Sequence, residues 1–206
     1  MINDTNDKIR YTSFILFLEK GYEATNIRDI CKVVNIKPSS LYFYYKSKQE
    51  LFLSVYDEIW TKKINFLDNT IIEQNDNSTI EFKLKLLYKK ILNYHVENIL
   101  NEKFLLRYHL FPAEEINTII KDKYNFWSNE ENKVLYNLIY KYKDKNFFNN
   151  DTVINDLNNY IYIFKHFLNH QIINIITNNI KPTSQEFELY WGRFWNSYIS
   201  NIQENE

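Results

Sequence analysis

Apolar residues recur at three- and four-residue intervals along most of the chain, the period of helices that bury one face. The first such run, Thr5 to Lys20, carries Ile9, Phe14, Phe17 and Leu18 and stops at Gly21, which is expected as a left-handed C-cap. A short second helix is predicted after Thr25, read as its N-cap, with Ile27, Ile30, Cys31 and Val34 on one face. Asn35-Ile36-Lys37 makes the next turn, and Pro38 suits the first position of a two-turn helix reaching Tyr44. Two brief helices joined by a tight turn, behind a longer supporting helix, are the helix-turn-helix plan.

Ser47-Lys48-Gln49-Glu50 reads as a capping box opening a long helix from about 48 to 72, with Phe52, Val55, Tyr56, Ile59 and Trp60 as its apolar side. A second box at Ser78-Thr79-Ile80-Glu81 opens a helix to about Leu100, lined by Leu84, Leu87, Tyr88, Ile91 and His95. A short helix from about Phe104 to Leu110 ends at Phe111-Pro112. Ala113-Glu114-Glu115 then supplies an acidic first turn for a helix running towards Lys145. Two further helices follow, about Thr152 to Thr177 and, from a third box at Thr183-Ser184-Gln185-Glu186, about Thr183 to Ile202. There is no internal repeat.

Composition agrees with this pattern. Two glycines and three prolines in 206 residues leave little turn chemistry for strands, and 45% hydrophobic residues suffice for a core. The expected fold class is all-α. No run approaches the ~20 apolar residues of a membrane span, and the first residues lack the plan of a signal peptide, so a cytoplasmic protein without membrane contact is expected. Cys31 is the single cysteine, which excludes an intrachain disulfide and a cysteine-based zinc site.

The net charge of −1 is unevenly spread: between Thr5 and Lys48 eight basic residues stand against four acidic ones. A basic head on an acidic body fits a phosphate-facing module joined to a part that does not touch DNA. His166 and His170 are one helical turn apart, but no carboxylate or cysteine accompanies them, so no metal and no cofactor is expected. A Gly-rich phosphate loop, a nucleophile elbow and a catalytic acid cluster are all missing from the sequence, which argues against an enzyme.

From Phe17 to Phe52 the sequence FLEKGYEATNIRDICKVVNIKPSSLYFYYKSKQELF resembles the TetR family of bacterial repressors. Gly21-Tyr22, Ala24-Thr25, Arg28-Asp29-Ile30, Leu41-Tyr42, Tyr44, and Lys46 with Lys48-Gln49-Glu50-Leu51 carry the resemblance. Ser39 stands where many members have Gly, Lys37 where many have a capping Ser, and Tyr45 where Phe is usual. The resemblance implies a three-helix DNA-binding domain over 1–47 and a helical ligand-binding and dimerisation domain over 48–206, connected by the helix from about 48 to 72. It also implies DNA contact by Thr25, Arg28, Lys37, Pro38, Ser39, Ser40, Tyr42, Phe43, Tyr44, Lys46 and Lys48. Lysines, hydroxyls and helix-start amides suit phosphates, whereas Ser39, Ser40, Phe43 and Tyr44 can meet base edges. Tyr42 is expected to pack its ring and place its hydroxyl on a phosphate.

The expected function is a ligand-responsive repressor released from a palindromic operator by a small aromatic, apolar or cationic molecule. The alternative is a helical regulator controlled by a protein partner. Trp60, Tyr88, Phe104, Tyr108, Phe111 and Trp127 are the candidate walls of a ligand cavity, with His95 and Arg107 as polar handles. A homodimer is expected through the last two helices, with Phe164, Phe167, Leu168, Ile172, Trp191, Gly192 and Trp195 at the interface. Gly192 inside a helix costs up to ~1 kcal/mol against Ala, which close approach of a partner helix would offset. The alternative is a bulky side chain of the same subunit facing Gly192.

Overall fold

The computed structural model describes residues 4–70, 79–141, 153–178 and 182–203. Their regular structure is helical, with no strand among the described residues: α1 (Thr5–Lys20), α2 (Ile27–Val34), α3 (Pro38–Tyr44), α4 (Lys48–Asp68), α5 (Ile80–Glu97), α6 (Ile99–Leu110), α7 (Asn117–Tyr140), α8 (Val153–Asn178) and α9 (Ser184–Gln203). A 3-10 turn, Glu114–Ile116, precedes α7. No helix among the described residues is long and apolar enough to cross a membrane.

Several boundaries differ from the sequence reading. Gly21 has the expected positive φ of 87°, but its ψ of 169° is extended, so the cap is not left-handed helical. Asn26, not Thr25, caps α2: its Oδ1 accepts from the Asp29 N–H at 2.9 Å. The Thr25 hydroxyl is already engaged, donating to the carbonyls of Gly21 at 2.7 Å and Leu16 at 3.1 Å. Thr79 caps α5 by accepting from the Phe82 N–H, one residue later than expected, and Ser78 lies outside the described residues. α6 starts at Ile99 rather than near Phe104, after a break at Asn98, and α7 ends at Tyr140, with 142–150 outside the described residues. The boxes at Ser47 and Thr183 form as read: Ser47 Oγ accepts from the Glu50 N–H at 3.0 Å, and Thr183 and Glu186 cap each other's amides.

The chain packs as two units, one of Met1–Ile64 with Leu100–Ser128, the other of Asn65–Ile99 with Asn129–Glu206. The first therefore joins the three N-terminal helices to most of α4, to α6 and to the start of α7, a grouping unlike the division by role at residue 47. Its cause lies at the C-terminal end of α1, where the last carbonyls of any helix need outside donors. Tyr108 Oη donates to the Phe17 carbonyl at 2.9 Å and Arg107 Nη1 to the Leu18 carbonyl at 2.8 Å. The guanidinium also suits the negative end of the α1 dipole. Asp57 on α4 takes Lys123 Nζ at 2.5 Å and Trp127 Nε1 at 2.8 Å from α7, and Trp127 stacks on Trp60 with ring centroids 6.4 Å apart.

Glycine suits position 21 in this arrangement. A Cβ there would lie 2.7 Å from Arg107 Nη2, so the guanidinium that bonds Leu18 must shift, and the φ of 87° strains any residue with a side chain, a branched one most. Gly21→Val should cost about 2–4 kcal/mol, from backbone strain plus a lost charge-assisted hydrogen bond. Urea unfolding checks this, and an unchanged midpoint would refute it.

The second unit is built around Tyr88 of α5, fully buried against Phe164 and Phe167 of α8 and Phe187 and Trp191 of α9, with ring centroids 5.2–6.0 Å away. Lys165 of α8 pairs with Glu131 of α7 at 2.6 Å.

Candidate nucleic-acid interface

α3 is held by its buried residues. Leu41 is fully buried, and Tyr45, just past the helix, donates its hydroxyl to Asn6 Oδ1 of α1 at 2.6 Å. The turn before it depends on Asn35, whose φ of 60° is left-handed, a conformation Asn tolerates well, while the Ile36 N–H donates to the Cys31 carbonyl at 3.0 Å. At 100° per residue, Ser39 and Phe43 both lie 200° from Leu41, so they share the ridge farthest from the core. Pro38, Ser39, Ser40, Tyr42, Phe43 and Tyr44 are all exposed, as are Lys37 and Lys46 beside them.

Next to this face is an open concavity of about 500 Å³, formed by Thr25, Asn26, Ile27 and Arg28 around the start of α2 together with Tyr42 and Lys48, with the carboxylate of Glu23 as the one acidic group in its lining. Helix-start amides, an exposed guanidinium, a phenol and an ammonium here converge as a phosphate oxygen requires. Lys48 is not a freely projecting lysine. Its Nζ donates to the Tyr22 carbonyl at 3.0 Å and stands 4.2 Å from the centre of the Tyr22 ring. Burial, with Glu115 second, pushes the Tyr22 phenol up to about 12, so that ring stays neutral beneath the ammonium. Two of the three ammonium protons remain for the concavity.

Thr25 is the expected contact that the structure turns inwards: its side chain is fully buried and its hydroxyl is spent on α1. Asn26 takes the place at the mouth of the concavity. Sequence reasoning missed it although Asn ranks above Thr as a cap, and Asp29 three residues on is the partner that could have signalled it.

The eight residues expected around a ligand are not brought together. Trp60, Phe104 and Tyr108 are buried in the first unit's core, where Trp127 packs beside them, and Arg107 is committed to Leu18. Phe111 is 78% exposed. Only Tyr88 and His95 belong to the second unit, both buried. There the Tyr88 hydroxyl and the Trp191 indole N–H are buried without a hydrogen-bond partner among the described residues, and burial, then Tyr190, raises the Tyr88 phenol well above its ordinary value. Of the expected interface residues, Phe164, Leu168 and Trp191 are buried within their own chain, in the core that α5, α8 and α9 build together, and Ile172 is buried as well. Phe167, Gly192 and Trp195 are partly exposed. A Cβ on Gly192 would meet nothing within 4 Å among the described residues, so none of them is the bulky side chain that the alternative reading sets against it. Among the described residues no group of three His, Cys, Asp or Glu side chains is placed to hold a metal.

A short helix presenting an exposed ridge beyond a tight turn, flanked by basic groups, defines a DNA-binding protein of the helix-turn-helix class. Residues 12–55 match the family described as bacterial regulatory proteins, tetR family. The chain is 31% identical over 140 residues to the biofilm operon icaADBC HTH-type negative transcriptional regulator IcaR of Staphylococcus epidermidis, covering 67% of this chain and 69% of that protein. Its fold is similar to the fatty acid degradation regulator FadR from Bacillus halodurans (TM-score 0.67, 16% identity, 93% of this chain and 95% of that one). It is also similar to the flavonoid-responsive regulator FrrA (TM-score 0.68, 14% identity, 96% of each chain). The chain belongs to the TetR family and is a DNA-binding transcriptional regulator, not an enzyme.

Proposed function

We propose that this chain is a cytoplasmic, homodimeric repressor that holds a palindromic operator and releases it when a small molecule binds the second unit. The observation that carries the reading is the exposed α3 ridge beside the concavity formed by Arg28, Tyr42 and Lys48. Repression is supported by the likeness to IcaR, a negative regulator by its description. Ligand control is supported by two polar groups without partners in an aromatic core, Tyr88 Oη and Trp191 Nε1, which suit a flat guest bearing hydrogen-bonding atoms. The description of FrrA as flavonoid-responsive agrees with such a guest. These two groups support a ligand contact at Tyr88 and Trp191 ahead of one at Trp60, Phe104, Tyr108, Phe111 and Trp127. Binding shifts the separation of the two α3 helices, which must meet successive major grooves about 34 Å apart.

Arg28→Ala tests the DNA-binding half of this proposal. Removing one phosphate contact per subunit, two for a dimer on its operator, should weaken binding to every duplex alike and reduce the slope of log affinity against log salt by about two. Equal slopes for variant and wild type in a salt titration of gel-shift affinity would exclude Arg28 from the phosphate contacts. For the ligand half, a flavonoid that quenches tryptophan fluorescence should lower operator affinity. Quenching compounds that all leave affinity unchanged would defeat that mechanism.

A further inference from the structure

We infer that Phe43 reads the C5-methyl group of thymine, so that each half-site of the bound DNA carries a thymine opposite this ring. The inference rests on the DNA-binding reading above and names the base class it selects. Phe43 is 84% exposed, on the ridge of α3 farthest from the core. Tyr44 meets it edge to face, ring centroids 5.4 Å apart and planes at 89°, which steadies the ring in its outward position.

The rest of the exposed surface of α3 offers little that discriminates bases. It consists of Pro38, Ser39, Ser40, Tyr42 and Tyr44, without the Arg, Asn, Gln, Asp or Glu that pair selectively with base edges. A serine hydroxyl both donates and accepts, so it suits any edge. Tyr42 lines the concavity assigned to phosphate. Lys37 stands at the N-cap, off the ridge of Ser39 and Phe43. The phenyl ring has no hydrogen-bonding group, so what it can gain in a major groove is apolar contact, and among the four bases the thymine methyl alone provides an apolar edge there. Opposite cytosine the same ring would cover an amino donor without pairing it.

Burial of one methyl is worth about fourfold in affinity, and two half-sites acting additively about fifteenfold. The test begins with selection of duplexes from a random pool by the full-length protein, followed by synthesis of the retained site with deoxyuridine replacing thymine at one position at a time. Deoxyuridine lacks only the methyl group. Wild type is expected to retain duplexes with a symmetric thymine and to lose about fourfold in affinity per half-site when that thymine becomes deoxyuridine, with no change at flanking thymines. Phe43→Ala, at an exposed position that leaves the circular dichroism unchanged, should bind both forms equally. Equal binding of both forms by wild type, or a thymine preference kept in Phe43→Ala, overturns the inference while leaving DNA binding intact. Failure to retain any duplex overturns the DNA-binding reading and this inference together.

Discussion

Replacing Phe52 by alanine is expected to remove about 3–5 kcal/mol of stability and DNA binding with it. Phe52 is fully buried at the centre of five rings: Phe17 and Tyr22 at 5.2 and 5.3 Å, Tyr56 at 6.4 Å, Phe104 at 5.6 Å and Tyr108 at 4.6 Å. These rings come from α1, the segment after it, α4 and α6, so no single neighbour can move to fill the space. Domains are stable by only about 5–15 kcal/mol, and the change therefore consumes a large share of the total. Phe126→Ala is the control. Phe126 is exposed, and its removal should stay within about 0.5 kcal/mol. Urea denaturation followed by circular dichroism measures both. If the two variants unfold at the same midpoint, the ring cluster does not hold the DNA-binding helices.

Gly192→Leu is expected to leave the subunit folded and to break the proposed dimer. Among the described residues a Cβ at this position meets nothing within 4 Å, and leucine is a better helix former than glycine by up to ~1 kcal/mol, so the subunit is expected to stay folded. On a two-fold interface the new side chain is presented twice and pushes the two α9 helices apart. Partly exposed Phe167 and Trp195, with exposed Tyr162, Ile173 and Leu189, provide apolar surface on α8 and α9 for such an interface. Loss of two-headed binding should lower operator affinity by on the order of 100-fold or more. Sedimentation should show a folded monomer. A variant that sediments as a dimer at nanomolar concentration would place any self-contact elsewhere.

The contrast between those two positions shows how far a linear pattern reaches. Gly192 stands out in the sequence as a glycine inside a helix, a purely local anomaly. That its own chain leaves it open is a fact of packing. Phe52 was one apolar position among five on its helix, and its place at the centre of a cluster rests on Phe104 and Tyr108, about fifty residues later. Arg107 shows the same limit. As a lone cation among aromatics it read as a polar handle for a ligand, yet it supplies a donor to Leu18, 89 residues away, at the end of α1.

What the sequence determined by itself was much of what neighbours a few residues apart set, though the caps at Asn26 and Thr79 escaped it. It placed α1 and α3 to the residue, because Gly21, Pro38 and the helical spacing of apolar residues act locally, and it marked the boxes at Ser47 and Thr183 for the same reason. It also pointed to α3 as the helix expected to meet DNA, since a basic head and a short helix after a tight turn are visible in order along the chain. Only the tertiary structure decided which donors closed α1, that Thr25 was spent inside and Asn26 left at the surface, and that α6 belongs with the DNA-binding helices. Only it sorted the aromatic residues into two cores. The physical reason is that periodicity tells which face of a helix is apolar, whereas the partner of that face is chosen by shape and by unpaired carbonyls and amides far away in sequence.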